Sequence, residues 1–181
     1  GFGGSCFPKD VAALRSFGRT VGEQTRMLDA VLDINTDQPL RMVALLEKEL
    51  SLAGKTVAVL GLAFKPGTDD LRESPALPLV AELRKKGAKV LVHDPIAMPH
   101  AKKRPEFRDV VFAEDWAEAL RKSDACCLVT AWPEYRNIQP TNFQKLMTRA
   151  LVIDGRGVFE PAAMAAAGVV WRGVGYTPES T

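Results

Sequence analysis

One cysteine of this 181-residue sequence stands where it could act as a nucleophile. Cys6 follows three glycines in the opening segment GFGGSCFPKD, and Pro8 occupies a position typical of a helix start. Unpaired backbone N–H groups and the positive end of a helix dipole favour a thiolate there, and Lys9 adds a positive charge. The glycines admit a substrate close to the backbone, and Asp10, one helical turn on, could position a water molecule or accept a proton. The alternative is a Gly-rich turn with a small buried cysteine.

A second group of reactive side chains follows the apolar run VAVLGL, within the segment Val57–Pro75. Nine consecutive positions there include five charged residues, namely Lys65, Asp69, Asp70, Arg72 and Glu73. In an open α/β sheet, ligands bind beyond the carboxyl ends of the strands, so this segment favours nucleotide or sugar recognition. It contains neither Gly-x-Gly-x-x-Gly nor Gly-Lys-Ser/Thr, so the usual dinucleotide and P-loop motifs are excluded. Alternatively, the aspartates cap a turn and Ser74 begins a helix with Pro75.

A third group follows later apolar runs. Arg156, in VIDGRGVF, is expected to point toward the same sheet edge as Lys65, although it could also be an ordinary surface arginine. The pair His93–Asp94 is interpreted as a turn with a hydrogen-bonded histidine and receives no functional role. The pair Cys126–Cys127 lies inside an apolar run without neighbouring charge, which predicts inert core residues. With two histidines and no cysteine cluster, we expect no metal site and no disulfide framework.

Alternating apolar runs and amphipathic stretches must position these side chains. Runs without polar alternation predict strands covered on both faces, as in a parallel sheet, and the segments between them carry helix formers at helical spacing. The predicted strands are Thr56–Gly61, Lys89–His93, Val110–Ala113, Ala125–Thr130, Leu151–Asp154 and Val169–Arg172. The predicted helices are Pro75–Lys86, Asp115–Lys122, Asn142–Thr148 and Pro161–Ala167. This order predicts an α/β fold with a doubly wound, Rossmann-like parallel sheet.

The first part of the chain is instead predicted to be helical. Apolar residues recur there at spacings of three and four, which indicates amphipathic helices that need a partner surface. Pro39 lacks a backbone donor, so we expect a kinked long helix or two helices between Glu23 and Leu50. The segment SLAGK marks the junction. We therefore divide the chain into residues 1–52, which hold the cysteine loop and helices, and residues 53–181, which form the α/β domain.

Composition excludes several classes of function. The chain is 46% hydrophobic and 25% charged, which is typical of a globular protein rather than a disordered or fibrous one. Its net charge is +2 without a long run of one sign, so nucleic-acid binding is not expected. Its longest apolar stretches are shorter than the roughly 20 residues of a membrane-spanning helix. With no signal peptide recognised, we expect a cytoplasmic protein.

The two segments GGSCFPKD and GLAFKPGTDDLRESP, separated by a helical stretch, resemble conserved segments of one enzyme family. They are similar to the nucleophile loop and to the start of the nucleotide-sugar-binding domain of the UDP-glucose/GDP-mannose dehydrogenase family. The resemblance extends over the whole chain. Phe7 favours UDP-glucose as substrate, because family members that act on GDP-mannose typically have leucine there, and those that act on UDP-N-acetylmannosamine usually differ across the cysteine loop.

The resemblance implies an NAD-dependent enzyme that oxidises C6 of UDP-glucose to the carboxylate of UDP-glucuronate in two hydride transfers. In that reaction Cys6 forms a thiohemiacetal and then a thioester, and Asp10 helps position or activate the water that hydrolyses it. Residues implied to contact the nucleotide-sugar are Gly1, Phe2, Gly3, Phe64, Lys65 and Arg156. Residues implied to border the cofactor NAD are Cys6, Phe7, Pro8, Lys9 and Arg72.

The sequence departs from the family pattern because it starts inside the nucleophile loop. The family's amino-terminal Rossmann domain and the catalytic lysine, asparagine and glutamate that precede the loop have no counterpart here. We therefore expect the main NAD site to lie outside this chain, and the chain alone to be inactive. The family's helical segment, matching Glu23–Leu50, implies a homodimer or a larger assembly.

Two other readings remain open at this point. A GDP-mannose 6-dehydrogenase would share much of the second motif, and a non-catalytic nucleotide-binding module would use the α/β domain without chemistry. A cysteine acyltransferase or hydrolase is a further alternative for Cys6. Such enzymes usually need a histidine base, and neither His93 nor His100 lies in a suitable motif.

Overall fold

The computed structural model describes residues 1–176 and contains a six-stranded, fully parallel sheet. Its strand order is β3-β2-β1-β4-β5-β6, so the connections reverse direction between β1 and β4. The strands are β1 (Thr56–Leu60), β2 (Lys89–His93), β3 (Val111–Phe112), β4 (Ala125–Leu128), β5 (Leu151–Asp154) and β6 (Val170–Gly173). This arrangement confirms the predicted doubly wound α/β fold.

Two longer helices precede the sheet and six shorter ones accompany it. They are α1 (Phe7–Thr20), α2 (Arg26–Glu49), α3 (Ala76–Lys85), α4 (Met98–Ala101), α5 (Trp116–Leu120), α6 (Pro133–Arg136), α7 (Pro140–Leu146) and α8 (Pro161–Ala166). A 3-10 turn covers Pro105–Phe107. Among the described residues, no helix is both long and apolar enough to cross a membrane.

The structure decides between the two arrangements expected around Pro39. α2 is a single helix of 24 residues with Pro39 inside it, so the chain does not divide into two helices there. Pro39 is buried, and Met42, Val43 and Leu46 follow it into the core against the sheet domain. Burial of this second half compensates for the missing backbone donor and keeps the helix continuous.

The core forms where apolar strands lie between helical layers. All residues of β4 and β5 are buried, including Cys126 and Cys127, as the uninterrupted apolar runs predict. Burial raises the pKa of the Cys127 thiol to about 12, and it also raises the pKa of the Cys126 thiol. These two cysteines are therefore unreactive core residues.

Candidate active site

The carboxyl edge of the sheet is closed at the point where the strand order reverses. The Thr130 hydroxyl after β4 donates a hydrogen bond to the carbonyl of Ala63 after β1. The buried Asp94 carboxylate, after β2, accepts from the backbone N–H groups of Leu62 and Ala63 at 2.7 and 3.0 Å. It also accepts from the Trp132 indole N–H at 3.1 Å. These bonds form a supporting layer that joins the segments after β1, β2 and β4 at the point where open α/β sheets usually bind ligands.

His93 belongs to the same supporting layer. Its ring Nδ1 lies 2.9 Å from the Tyr135 hydroxyl, which donates a hydrogen bond to the His93 carbonyl. Since that hydroxyl proton is already used, Nδ1 carries the proton that joins the two side chains. Burial lowers the pKa of His93. The histidine is thus hydrogen bonded, as the sequence predicted.

The loop that leads to Cys6 is docked onto the segment that follows β1. The N–H of Gly4 donates to the Arg72 carbonyl at 2.8 Å. Gly4 has φ of +85°, and a Cβ on it would lie 2.7 Å from the Phe64 ring. A Cβ on Gly3 would overlap the carbonyl of Glu73, which itself adopts a left-handed φ of 51°. Glycine is required at both positions, so the loop and the segment fit each other closely.

Cys6 is exposed at the amino-terminal end of α1. Its carbonyl accepts the N–H of Asp10 at 2.8 Å, which places these two residues one helical turn apart, as predicted. The Asp10 carboxylate lies against the Lys9 ammonium at 2.5 Å. That contact and the Asp10 charge raise the pKa of Lys9, and a smaller contribution comes from Cys6. Lys9 and Asp10 thus form an exposed ion pair on the first turn of α1, beside Cys6.

Arg72 is the second cation near Cys6. Asp70 holds its guanidinium through Nε and Nη2 at 3.0 and 2.8 Å, and these bonds raise the pKa of Arg72, with a smaller contribution from Cys6. Asp70 also links this side chain to Phe64, whose N–H donates to the Asp70 carbonyl at 3.1 Å. Arg72 lines three neighbouring clefts of about 640, 450 and 760 Å³. The third of these clefts is also lined by Lys9, next to the cysteine.

The remaining candidate residues lie at the same edge of the sheet. Lys65 is exposed, and its ammonium is 5.6 Å from the centre of the Phe64 ring. Arg156, after β5, is half-buried; its Nε donates to the Val129 carbonyl at 2.5 Å and its Nη1 to the Gly1 carbonyl at 3.3 Å. Burial lowers the pKa of this guanidinium. Arg156 is thus not a free surface side chain, and it joins β5 to the cysteine loop.

Sequence reasoning missed Asn35, which lies in the middle of α2 and binds the backbone of Phe2. It named Asp70 as a candidate for ligand binding or turn capping, but it did not predict that Asp70 holds the Arg72 guanidinium. An asparagine inside a helix is unfavourable, which is a weak signal of a special contact. Among the described residues, no group of three His, Cys, Asp or Glu side chains could hold a metal ion.

Comparisons with known proteins identify the family of the chain. Residues 58–161 match the UDP-binding domain of the UDP-glucose/GDP-mannose dehydrogenase family, and residues 1–37 match its central domain. UDP-glucose 6-dehydrogenase TuaD of Bacillus subtilis is 38% identical over 180 residues, covering 97% of this chain and 38% of the relative. UDP-glucose 6-dehydrogenase AglM of Haloferax volcanii is 45% identical over 158 residues, covering 87% of this chain and 36% of the relative.

Solved structures give the same result. A UDP-glucose dehydrogenase from Pyrobaculum islandicum superposes with a TM-score of 0.79 at 42% identity, covering 87% of this chain and 35% of that one. A GDP-mannose dehydrogenase from Pseudomonas aeruginosa superposes with the same TM-score at 25% identity, covering 97% and 40%. The chain thus spans well under half the length of these relatives. The chain belongs to the UDP-glucose/GDP-mannose dehydrogenase family.

Proposed function

We propose that this chain is the carboxyl-terminal part of an NAD-dependent UDP-glucose 6-dehydrogenase. The observation that carries the proposal is the exposed Cys6 at the start of α1, in a loop docked on the segment after β1. Residues 1–52 supply the nucleophile loop and helices, and residues 53–181 bind the sugar nucleotide. The relatives named for UDP-glucose are 38% and 45% identical, whereas the GDP-mannose dehydrogenase is 25% identical, which favours UDP-glucose.

Cys6 forms the covalent intermediates of the proposed reaction. NAD, when bound, would accept the two hydrides that C6 gives up; the first leaves the alcohol together with the hydroxyl proton, which passes to solvent, and an aldehyde results. The Cys6 thiolate attacks the aldehyde carbon, a C–S bond forms and the carbonyl oxygen takes up a proton, which gives a thiohemiacetal. Loss of the second hydride and of the hydroxyl proton leaves a thioester. Water then adds, the C–S bond breaks, and the products are a carboxylate and the free thiol.

Asp10 assists the hydrolysis in this proposal. It lies one helical turn from Cys6, where a carboxylate can hold a water molecule and take its proton. Its present partner is the exposed Lys9, and an exposed ion pair of this kind costs little to rearrange. Asp10 can therefore exchange Lys9 for the water without disturbing the helix.

Substrate-binding groups surround the cysteine loop. We assign the loop residues Gly1, Phe2 and Gly3, the Phe64 ring, and the cations Lys65 and Arg156 to the nucleotide-sugar. Phe64 supplies a face for stacking, and the cations suit a diphosphate. Arg156 already touches the Gly1 carbonyl, so a substrate bound to it would contact the loop as well.

This chain also offers a border for the cofactor. The exposed guanidinium of Arg72 and the ammonium of Lys9 line one cleft beside the cysteine loop, and both suit the phosphates of a dinucleotide. We therefore assign Arg72 and the segment Cys6–Lys9 to the NAD border, with the main NAD site outside this chain. The exposed apolar side chains of α1 and α2, including Phe17 and Ile34, supply a surface for a homodimer.

Calorimetry and turnover test the proposal together. This chain is titrated with UDP, UDP-glucose, GDP-mannose and NAD, and the full-length protein is assayed for NADH formation with both sugar nucleotides. We expect the chain to bind UDP-glucose in preference to GDP-mannose and to form no NADH. We expect the full-length protein to form two NADH per UDP-glucose. Preference for GDP-mannose in both assays would contradict the assignment of UDP-glucose as the substrate. Binding of NAD alone would contradict the assignment of the α/β domain to the sugar nucleotide.

Arg156→Leu and Arg108→Leu form a matched pair for this titration. Arg108 is exposed after the 3-10 turn and lines none of the three clefts beside Arg72. We expect the Arg156 variant to lose at least about tenfold in UDP-glucose affinity, since a charged hydrogen bond contributes about 1.5–3 kcal/mol. Equal affinities of the two variants would contradict the assignment of Arg156.

A further inference from the structure

The cysteine loop is hydrogen bonded to Asn35 on α2, a contact that the family resemblance did not predict. The side-chain amide of Asn35 accepts the N–H of Phe2 at 2.6 Å and donates to the Phe2 carbonyl at 3.0 Å. Both backbone groups of one residue are thereby bound by one planar side chain, in the manner of a neighbouring β-strand. The two residues are 33 positions apart in sequence, so this contact fixes the loop relative to the helix.

Pro39 adapts the helix at this point. A residue four positions beyond Asn35 would normally donate its N–H to the Asn35 carbonyl, but proline has no N–H. That carbonyl lies 3.6 Å from the position of a Cβ on Gly1, so the loop packs over the part of the helix that proline leaves open. Pro39 is itself buried, and the core residues that follow it anchor this half of α2. Asn35 is therefore held on a rigid support.

The loop is fixed at two points before it reaches Cys6. Phe2 is bound by Asn35, and Gly4 is bound by the Arg72 carbonyl at 2.8 Å. The Phe2 ring also packs edge-to-face on the Phe7 ring, with centroids 6.1 Å apart, on the far side of the cysteine. A shift at Phe2 is thus transmitted to both flanks of Cys6.

We propose that Asn35 is a positioning residue that sets the register of the nucleophile loop and so aligns the Cys6 sulfur with the sugar carbon. This inference rests on the proposed function. Two hydrogen bonds to one amide side chain fix both the position and the orientation of the Phe2 backbone relative to α2. An error of about 1 Å in the placement of a reacting group can cost about 100-fold in rate, so this clamp acts on kcat.

Two Asn35 variants and one control test the proposal in the full-length protein. Asn35→Ala removes both hydrogen bonds to Phe2. Asn35→Asp keeps the size of the side chain and the acceptor for the Phe2 N–H, but it places a carboxylate oxygen, in place of the amide N–H donor, against the Phe2 carbonyl. Asp37→Ala is the control, because Asp37 is exposed two positions along the same helix. We expect kcat with UDP-glucose to fall at least tenfold in both Asn35 variants, with the KM for NAD changed less than twofold. Asp37→Ala keeps the wild-type kcat and KM.

Unfolding temperature separates positioning from a structural role. If Asn35 only stabilised the fold, both variants would melt earlier and retain the wild-type kcat per folded molecule, which would overturn the proposal. A loss of kcat of at least tenfold in both variants, at a wild-type unfolding temperature, supports it.

Alkylation separates this inference from the proposed function. The rate at which iodoacetamide modifies Cys6 is measured on the same proteins; Cys126 and Cys127 are buried and serve as internal controls. We expect the modification rate to change in both Asn35 variants, because the loop that carries the exposed thiol shifts relative to its surroundings. A wild-type protein that does not oxidise UDP-glucose would refute the proposed function. In that case, equal alkylation rates in Asn35→Ala and Asp37→Ala would refute the clamp as well, and a different rate in Asn35→Ala would leave it standing.

Discussion

Gly4→Ala tests whether the fit between the cysteine loop and Phe64 supports substrate binding. Gly4 has φ of +85° and faces the Phe64 ring, and its N–H binds the Arg72 carbonyl. Gly54 provides a matched control: its φ is +73°, a Cβ on it meets nothing within 4 Å, and it precedes β1 at the opposite edge of the sheet. Alanine at either position suffers the same backbone strain, but only alanine at position 4 collides with a candidate substrate contact.

The cost of backbone strain and the cost of the collision with Phe64 can be estimated separately. A left-handed conformation costs an alanine about 1–2 kcal/mol, which both variants share. For a chain of this size, about 1 kcal/mol corresponds to about 2–4 °C in Tm, so both should melt about 2–8 °C earlier. At position 4 the new Cβ lies 2.7 Å from the ring, and an ordinary contact begins near 3.4 Å. The Phe64 ring must therefore retreat by roughly 0.7 Å, or the loop must release its bond to Arg72, which contributes about 0.5–1.5 kcal/mol.

Thermal unfolding of this chain and steady-state kinetics of the full-length protein, each with the same two substitutions, check this reasoning. We expect Tm to fall in both variants, and further in Gly4→Ala because of its additional collision with the Phe64 ring. The KM for UDP-glucose rises about tenfold or more in Gly4→Ala and stays at the wild-type value in Gly54→Ala. The reasoning is refuted if Gly4→Ala keeps the wild-type KM and kcat while it loses as much Tm as the control. That result would mean that the loop can shift without consequence for the substrate.

Three further results are expected. In the full-length protein, Cys6→Ser lowers NADH formation about 10³-fold or more, because a serine hydroxyl is a much weaker nucleophile; wild-type turnover would exclude Cys6 as the nucleophile. Asp94→Asn lowers the free energy of unfolding in urea by about 3 kcal/mol or more, since an amide nitrogen would then face backbone donors, and a loss below about 1 kcal/mol would contradict its supporting role. Burial lowers the pKa of His93, so as pH falls through about 6.5 the unfolded chain takes up a proton that the folded one does not. The free energy of unfolding should then drop by at most about 2 kcal/mol between pH 7 and 5, and His93→Asn should remove this decline while the exposed His100→Asn keeps it.

The strands could be predicted because a strand that is buried on both faces requires an uninterrupted run of apolar residues. Runs such as ACCLVTA have no polar alternation, and the structure places all four residues of β4 in the core. The predicted strand Ala125–Thr130 is two residues too long, because Thr130 leaves the ladder to bind the Ala63 carbonyl. The predicted helix Asn142–Thr148 begins two residues late, because Pro140 starts the helix itself.

The short elements could not be predicted for a physical reason. α4 and α6 have four residues each, which is too few to show a helical repeat, and they depend on buried anchors such as Ala101 and Tyr135. The cysteine at a helix start, the charged segment after β1 and Arg156 were found from residue type and position. Asn35 was not found, because its partner is a backbone group 33 residues away and nothing in local sequence reports that contact.

α2 divides its length between two environments. At about 1.5 Å per residue its 24 residues extend roughly 36 Å, with one end embedded in the sheet domain and the other beside the exposed α1, in which every residue is exposed or half-buried. α1 therefore contributes little to the core of the sheet domain. Substitutions on the exposed face of α1 can alter the surroundings of Cys6 at small cost in stability, whereas the docked loop before it, with the buried Gly4, cannot change as freely.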